Sequence, residues 1–337
     1  MSNWYLQTGK ESDIVISSRA RLARNLAEFN FKNSFVKDES KSVMEKMEEI
    51  APSLGYGLKF CKMDNIDEVT KISLMEKHLI SPEFAMKGEA NQAILINDDE
   101  NICIMINEED HLRIQVFSAG LEIENLLGLI TEIDEKLSTL VGYAYNKEFG
   151  YLTACPTNVG TGLRISIMVH LPALAITGNI SKVLRAVNSF GMNIRGIYGE
   201  GSDSKGNIFQ IFNNQSLGLT EKEIMKNVKA VTDKIIEQER LARKNLEKKP
   251  IDLEDRVYRA YGVLVNSRKL TSDECRALLS DVKLGTDLGI IKELDDAKVK
   301  KIELYTQVGN LQKYAGEELG AFDRDVKRCE LIKEILK

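Results

Sequence analysis

Two kinds of hydrophobic pattern run along the chain and divide it in two. Up to about residue 249, short β-type runs alternate with amphipathic helices; beyond it every stripe has helical spacing. In residues 38–54, Val43, Met47, Ile50 and Leu54 recur at three to four positions, which predicts a helix with one buried face. Residues 93–97 and 102–107 are β-rich and flank Asp98-Asp99-Glu100-Asn101, so they read as a hairpin. Residues 120–141 form a strong helical stripe through Ile123, Leu126, Ile130, Ile133 and Leu137. A buried-type strand over 165–171 and a helix over 180–190, stopped by Gly191, follow, then another strand over 207–212. A long helix over 220–245 opens with Thr220 and Glu223 spaced as a capping box. Most of these connections are too short for parallel crossovers. The expected fold class is therefore α+β: a mainly antiparallel sheet with helices packed on one face. Lys248-Lys249-Pro250 marks the boundary between a domain over 1–249 and a small all-α domain over 250–337. In the latter, Leu253, Val257, Tyr261 and Leu264 make one stripe, Thr271 and Glu274 cap the next helix, and two more cover 299–308 and 323–336.

A length of 337 residues accommodates two domains, and 43% apolar with 29% charged residues is an ordinary globular composition. The net charge of −5 divides into −4 for residues 1–249 and −1 for the remainder, so neither part is basic and direct nucleic-acid binding is not expected. No run of 18 apolar residues and no signal-type amino terminus occurs, so no membrane association and a cytoplasmic location are expected. The five cysteines and three histidines are scattered without metal-ligand spacing, which argues against a disulfide framework or a zinc site.

The candidate chemistry sits beside turns and strand ends of the first domain. Residues 150–164, GYLTACPTNVGTGLR, turn through Pro156, Asn158, Gly160 and Gly162, with a thiol at Cys155 before the turn and a guanidinium at Arg164 after it. Such a stretch is either a tight strand-to-strand turn or a cradle for an anion such as phosphate. Arg19 and Arg21 share a face of an extended segment, as a phosphate clamp or as a solvated basic strand end. Asn107-Glu108-Glu109-Asp110 leads into Arg113, and Arg195 opens the loop RGIYGEG containing Glu200. The lone His78 is as compatible with a core position as with a ligand. There is no P-loop and no protein-kinase motif set. Five arginines (Arg19, Arg21, Arg113, Arg164, Arg195) would neutralise phosphates equally well, and carboxylates with a thiol would suit a cationic nucleophile such as a guanidine.

ISSRARLARN, NEEDHLRIQ, CPTNVGTGLR and RGIYGEG, in that order, resemble the phosphagen (guanidino) kinase family. The resemblance to its bacterial protein-arginine kinase branch continues through LEDRVYRAYGVL and SDVKLGTDLGIIK in the helical domain. It implies a phosphagen kinase catalytic domain that transfers phosphoryl from ATP to arginine residues of proteins, with Mg²⁺ held through the ATP phosphates. It further implies an ATP site of Ser17, Ser18, Arg19, Ala20, Arg21, His78, Arg113, the segment Arg164, Ile165, Ser166, Ile167, Met168, and the loop Arg195, Gly196, Ile197, Tyr198, Gly199, Glu200. Glu109 and Glu200 would grip the acceptor guanidinium, one as general base, with the Cys155 thiolate against it. RDVKRC resembles a phospho-arginine-binding motif, giving Arg324, Asp325 and Arg328 that role, with Cys329 where the family has alanine. A second departure is QIFNN, where Phe212 stands in place of the family's usual serine and is expected to affect packing. The implied partners are protein substrates with exposed arginines, including a heat-shock repressor, an activator protein, the Clp protease machinery and a second copy of the chain. The alternatives are a kinase for a small guanidino compound and a non-catalytic adaptor that reads phospho-arginine.

Overall fold

The structure is a computed structural model, and it describes residues 3–32, 38–197 and 204–337. The elements run β1 (Val15–Arg24), α1 (Glu39–Leu54), β2 (Lys59–Lys62), α2 (Glu68–Glu76), α3 (Pro82–Met86), β3 (Ala93–Ile96), β4 (Ile102–Ile106), β5 (Leu112–Ala119) and α4 (Ile123–Leu140). They continue as the short pair β6 (Tyr145–Asn146) and β7 (Gly150–Tyr151), β8 (Leu163–His170), α5 (Pro172–Ile176), α6 (Ile180–Ser189), β9 (Met192–Gly196), β10 (Ile208–Asn213) and α7 (Glu221–Leu246). Helices α8 (Pro250–Asn266), α9 (Ser272–Asp287), α10 (Asp296–Tyr305), α11 (Val308–Ala315) and α12 (Ala321–Leu336) complete the chain.

Eight strands form one sheet in the order β2-β3-β4-β5-β1-β8-β10-β9, and every neighbouring pair is antiparallel. The side-chain period of two then separates two chemistries. Ala20, Leu22, Ile114, Val116, Ile165, Ile167 and Ile211 turn to one face, where Val43, Met47, Ile130, Ile133, Val228 and Ile235 from α1, α4 and α7 bury them. Each fully buried aliphatic side chain there contributes about 1.5–3 kcal/mol, which fixes the register: a slip of one residue would put the arginines into this core.

The opposite face is not left bare, as packing on a single face would have it. At the β2–β5 end, Trp4 of the amino-terminal arm, Leu74 of α2, Leu79 of the α2–α3 connection and Phe84 of α3 cover Cys103, Met105 and Phe117. Helices α8–α12 gather round their own core of Val257, Leu264, Leu279, Val282, Val299, Ile302 and Ile332. This helical unit is anchored by polar contacts. Glu76 at the end of α2 accepts from the Gly309 and Asn310 amides at the start of α11 (2.8 and 2.9 Å), satisfying donors that a helix leaves free. Lys300 donates to the Gln7 carbonyl (2.7 Å), and Arg243 of α7 pairs with Asp287 of α9. Between these coverings, the middle of the sheet's second face stays open.

Candidate active site

The open face carries a row of arginines set by strand register. Arg21 on β1 lies opposite Arg164 on β8, and one step along, Arg19 lies opposite Ser166. Arg113 enters on β5 opposite Ala23, and Arg195 on β9 lies opposite Gln210 of β10. All five arginines line one cavity of about 1410 Å³, together with His78, Glu108, Glu109, Cys155, Met168, Gly196 and Ile197.

Crowding these cations costs energy, and their acid–base behaviour records it. Burial, then the Arg113, Arg195 and Arg164 charges, push the Arg19 guanidinium down to about 9. Arg21 is held well below its ordinary value by burial and by Arg113, Arg164 and Arg19. Burial and Arg113 also lower Arg164, while Cys155 and Glu109 pull it the other way. Among the described residues, the buried Arg19 Nε has no hydrogen-bond partner, nor has the Ser166 hydroxyl beside it. A cluster of this kind, under-neutralised by the described residues, is chemically suited to a polyanion. His78, at a backbone φ of 62°, is pushed down to about 4 by burial and by Arg19 and Arg195, so it faces the cavity uncharged.

The three consecutive acids of the β4–β5 loop have three different tasks. Glu108 pairs with Arg113 (2.6 Å) and accepts from Ser81 (2.7 Å); burial opposes its charge, but Arg113, the Glu109 amide and Ser81 outweigh burial and hold its carboxyl low. Asp110 turns inward and accepts from the Ala154 amide (2.6 Å) and Asn25 (2.7 Å), tying this loop to the cysteine loop. Glu109 alone is exposed and lines the cavity. Cys155 opens a short 3₁₀ turn (Pro156–Asn158), half-buried, with its Sγ 3.0 Å from the Thr157 hydroxyl.

That cysteine loop is held from below. Gly162 has φ +68°, and a Cβ there would lie 2.6 Å from an Arg24 nitrogen and 2.7 Å from the Ala23 carbonyl, so only glycine lets the loop approach β1. Arg24, unlike its neighbours Arg19 and Arg21, is fully buried. It pairs with Asp134 (2.7 Å), donates to the Thr161 carbonyl (2.9 Å) and lies 3.5 Å from the Tyr151 ring centroid.

Other residues in the expected set lie elsewhere. The Ser18 hydroxyl donates to the Gly120 carbonyl (2.7 Å) and accepts from Glu122, so it secures the turn after β5. Ser17 is buried opposite Met168. Ala20, Ile165 and Ile167 turn into the helix-covered core and seat the strands with their side chains. Tyr198, Gly199 and Glu200 lie outside the described residues. On α12, Arg328 is 1% exposed and donates to the Thr306 and Leu270 carbonyls, Asp325 and Ser272. Arg324 donates to the Leu319 carbonyl (2.7 Å), and Cys329 is buried.

The structure adds residues, and contacts of one already named, that the sequence pattern did not indicate. Gln210 accepts from Arg195 (3.1 Å), a pairing visible only once β9 and β10 are in register. Phe212, expected to matter for packing, has its ring within 5.3 Å of the Arg164 guanidinium and 5.4 Å of that of Arg195. Met75 and Glu76 of α2, Arg276 of α9, and Gln307 and Val308 at the start of α11 line the same cavity, so the helical unit forms part of its wall. Nothing in the sequence signalled that.

Comparison with known proteins agrees with this arrangement. The profile of the ATP:guanido phosphotransferase C-terminal catalytic domain matches residues 39–242, and that of the protein-arginine kinase McsB C-terminal domain matches residues 250–337. A protein-arginine kinase of Halothermothrix orenii is 48% identical over 335 residues, covering 99% of this chain and 96% of that protein. One from a Geobacillus species is 46% identical over 343 residues, covering 100% and 94%. Among solved structures, the duplicated taurocyamine kinase of Schistosoma mansoni superposes with a TM-score of 0.61 at 25% identity, covering 71% of this chain and 35% of its own. A lombricine kinase superposes with a TM-score of 0.59 at 23% identity, covering 68% and 67%, a likeness of fold.

Proposed function

Because the chain belongs to the ATP:guanido phosphotransferase family, in its protein-arginine kinase branch, we propose that it transfers the γ-phosphoryl group of ATP to the guanidinium of arginine side chains in proteins. The observation that carries the reading is the open cationic row of Arg19, Arg21, Arg164 and Arg195, ending at a thiol and an exposed carboxylate. The row suits the phosphates, and the carboxylate suits the guanidinium.

In the reaction, a nitrogen of the acceptor guanidinium attacks the γ-phosphorus. The bond from that phosphorus to the bridging oxygen breaks, its electron pair leaves on ADP, and the acceptor nitrogen gives up a proton. Such a loose phosphoryl transfer needs its equatorial oxygens neutralised and its partners aligned. Arg164, Arg195, Arg19 and Arg21 supply donors and charge on one side, and Arg113, anchored by Glu108, supplies them at the transfer end. Glu109 holds the guanidinium and, with Glu200 as the other candidate, receives the proton. Cys155, steadied by Thr157, sets a polarisable, ionisable sulfur against the same cation. Among the described residues no group of three or more His, Cys, Asp or Glu could hold a metal ion, and the cavity's donors suit phosphate oxygens. As the resemblance implies, Mg²⁺ would arrive on the nucleotide and offset part of its charge.

The finer biology of the branch is carried in the same proposal. Arrest of a heat-shock repressor, delivery of marked proteins to a Clp protease, an activator protein, and dimerisation through the helical unit follow from the resemblance. So does phospho-arginine reading by Arg324, Asp325 and Arg328. Among the described residues no helix is long and apolar enough to cross a membrane.

The test is competition between acceptors. With Mg-ATP, an unfolded arginine-rich protein should be phosphorylated while free arginine at millimolar concentration is not. Modification of free arginine alone would favour a small-molecule guanidino kinase and overturn the reading.

A further inference from the structure

The ring of Phe212 stands under two cavity arginines at once. β10 lies between β8 and β9 in the sheet, and Phe212 pairs with Ser166 on one side and Asn193 on the other. From that position its ring centroid is 5.3 Å from the guanidinium carbon of Arg164 and 5.4 Å from that of Arg195. Both distances are within the range in which the negative face of an aromatic ring attracts a cation. Neither arginine is in an ion pair among the described residues, whereas Arg113 has Glu108. Arg195 has one neutral acceptor in Gln210. The ring is thus within cation–π reach of both guanidinium groups at once.

Resting on the reading of this cavity as a nucleotide phosphate site, we propose that Phe212 is a positioning residue for the phosphates. It holds the Arg164 and Arg195 forks over the cavity before any nucleotide enters. Long arginine arms facing like charges would otherwise swing towards solvent, and their ordering would be charged against binding. A ring face offsets part of that repulsion without a formal negative charge. A carboxylate in its place would pair with the arginines and compete with phosphate.

The experiment replaces Phe212 with 4-fluoro-, 3,5-difluoro- and 3,4,5-trifluorophenylalanine, and separately with leucine. Mg-ADP and inorganic tripolyphosphate binding are then titrated. Fluorine drains the ring face while barely changing its volume, so a packing role predicts a flat series. Positioning predicts that log Kd rises linearly with the number of fluorines, for tripolyphosphate as for Mg-ADP. The leucine variant should bind both about five- to thirtyfold more weakly, as two partly desolvated cation–π contacts would require. Fluorinated proteins with unchanged melting temperature and Kd within twofold of the unmodified chain would overturn the assignment. If the unmodified protein itself fails to bind Mg-ADP, the nucleotide reading falls and Phe212 falls with it; a flat series with tight Mg-ADP binding removes Phe212 alone.

Discussion

Replacing Arg19 with methionine should stabilise the folded protein and cripple it at the same time. The stem of the side chain keeps its packing, while the charge and the unpartnered Nε are removed. The depression of Arg19 from 12.5 to about 9 by burial and three neighbouring arginines measures the cost of keeping it charged. At 1.36 kcal/mol per unit this is roughly 5 kcal/mol as a ceiling. Arg19 is half-buried at the edge of a wet cavity, so counterions and solvent reduce the figure to about 1–2 kcal/mol. A gain of that size raises the melting temperature by about 1.5–3 °C in a protein of this length. Turnover should fall about 10- to 150-fold in kcat/KM, the worth of one charged hydrogen-bonding group on phosphate. The pH dependence has a definite sign. Between about 9 and 12.5 the unfolded chain binds a proton at Arg19 that the folded chain has released, so this penalty is full below pH 9 and shrinks above it. The advantage of R19M should therefore be constant near neutrality and narrow in alkali. Differential scanning calorimetry with and without Mg-ADP checks all of this: nucleotide should raise the melting temperature of the native protein and leave R19M nearly unmoved. A lower melting temperature for R19M together with undiminished turnover would refute the reasoning.

Other expectations follow from the same geometry. Arg328→Met should destabilise the protein by about 3–5 kcal/mol, because the side chain is 1% exposed and its partners, Asp325 among them, would be left unpaired. Urea unfolding followed in the helical unit measures it, and a change below about 1 kcal/mol would contradict the burial argument. Gly309→Ala should loosen the junction of α2 and α11, since a Cβ there would lie 2.6 Å from the Ser73 amide nitrogen. Faster hydrogen exchange in both helices, with an unchanged central sheet, is the expected signature. His78→Gln should remove part of the acid lability. The depressed histidine contributes stability that is full above about pH 6.5 and lost progressively as pH falls towards 4, so native and variant midpoints should diverge only in that window.

How much of this could be read without coordinates depended on whether a contact was local. The hairpin over 93–107, the α4 stripe and the Thr220 capping box are each set within a few residues, and all stand where the periodicity placed them. Arg19 and Arg21 share a face because a strand has period two, which needs no partner strand. That Arg21 faces Arg164, or that Arg195 reaches Gln210, needs the register of strands many residues apart, and no local rule supplies it. The run Glu108-Glu109-Asp110 shows the limit most clearly. Identical chemistry in adjacent positions was divided by the backbone into an arginine anchor, an exposed cavity carboxylate and a loop tie. Covering of the second face by α2 and α3 is not legible in the sequence because α2 buries a single apolar side chain, Leu74, and its contacts are to distant strands. Phe212 read as a packing residue for the opposite reason: an aromatic in a strand usually is one, and only its two cationic neighbours distinguish it.

The central claim is that the arginine row and the Cys155–Glu109 end act together on protein arginines. It is tested most directly by incubating the protein with Mg-ATP and an unfolded substrate, beside a Cys155→Ala control. The products are analysed by mass spectrometry under non-acidic conditions, because the P–N bond is acid-labile. The account predicts phosphate on arginine side chains that is strongly reduced in the control. Phosphate confined to hydroxyl side chains, or phospho-arginine at the same level in the control, would contradict it.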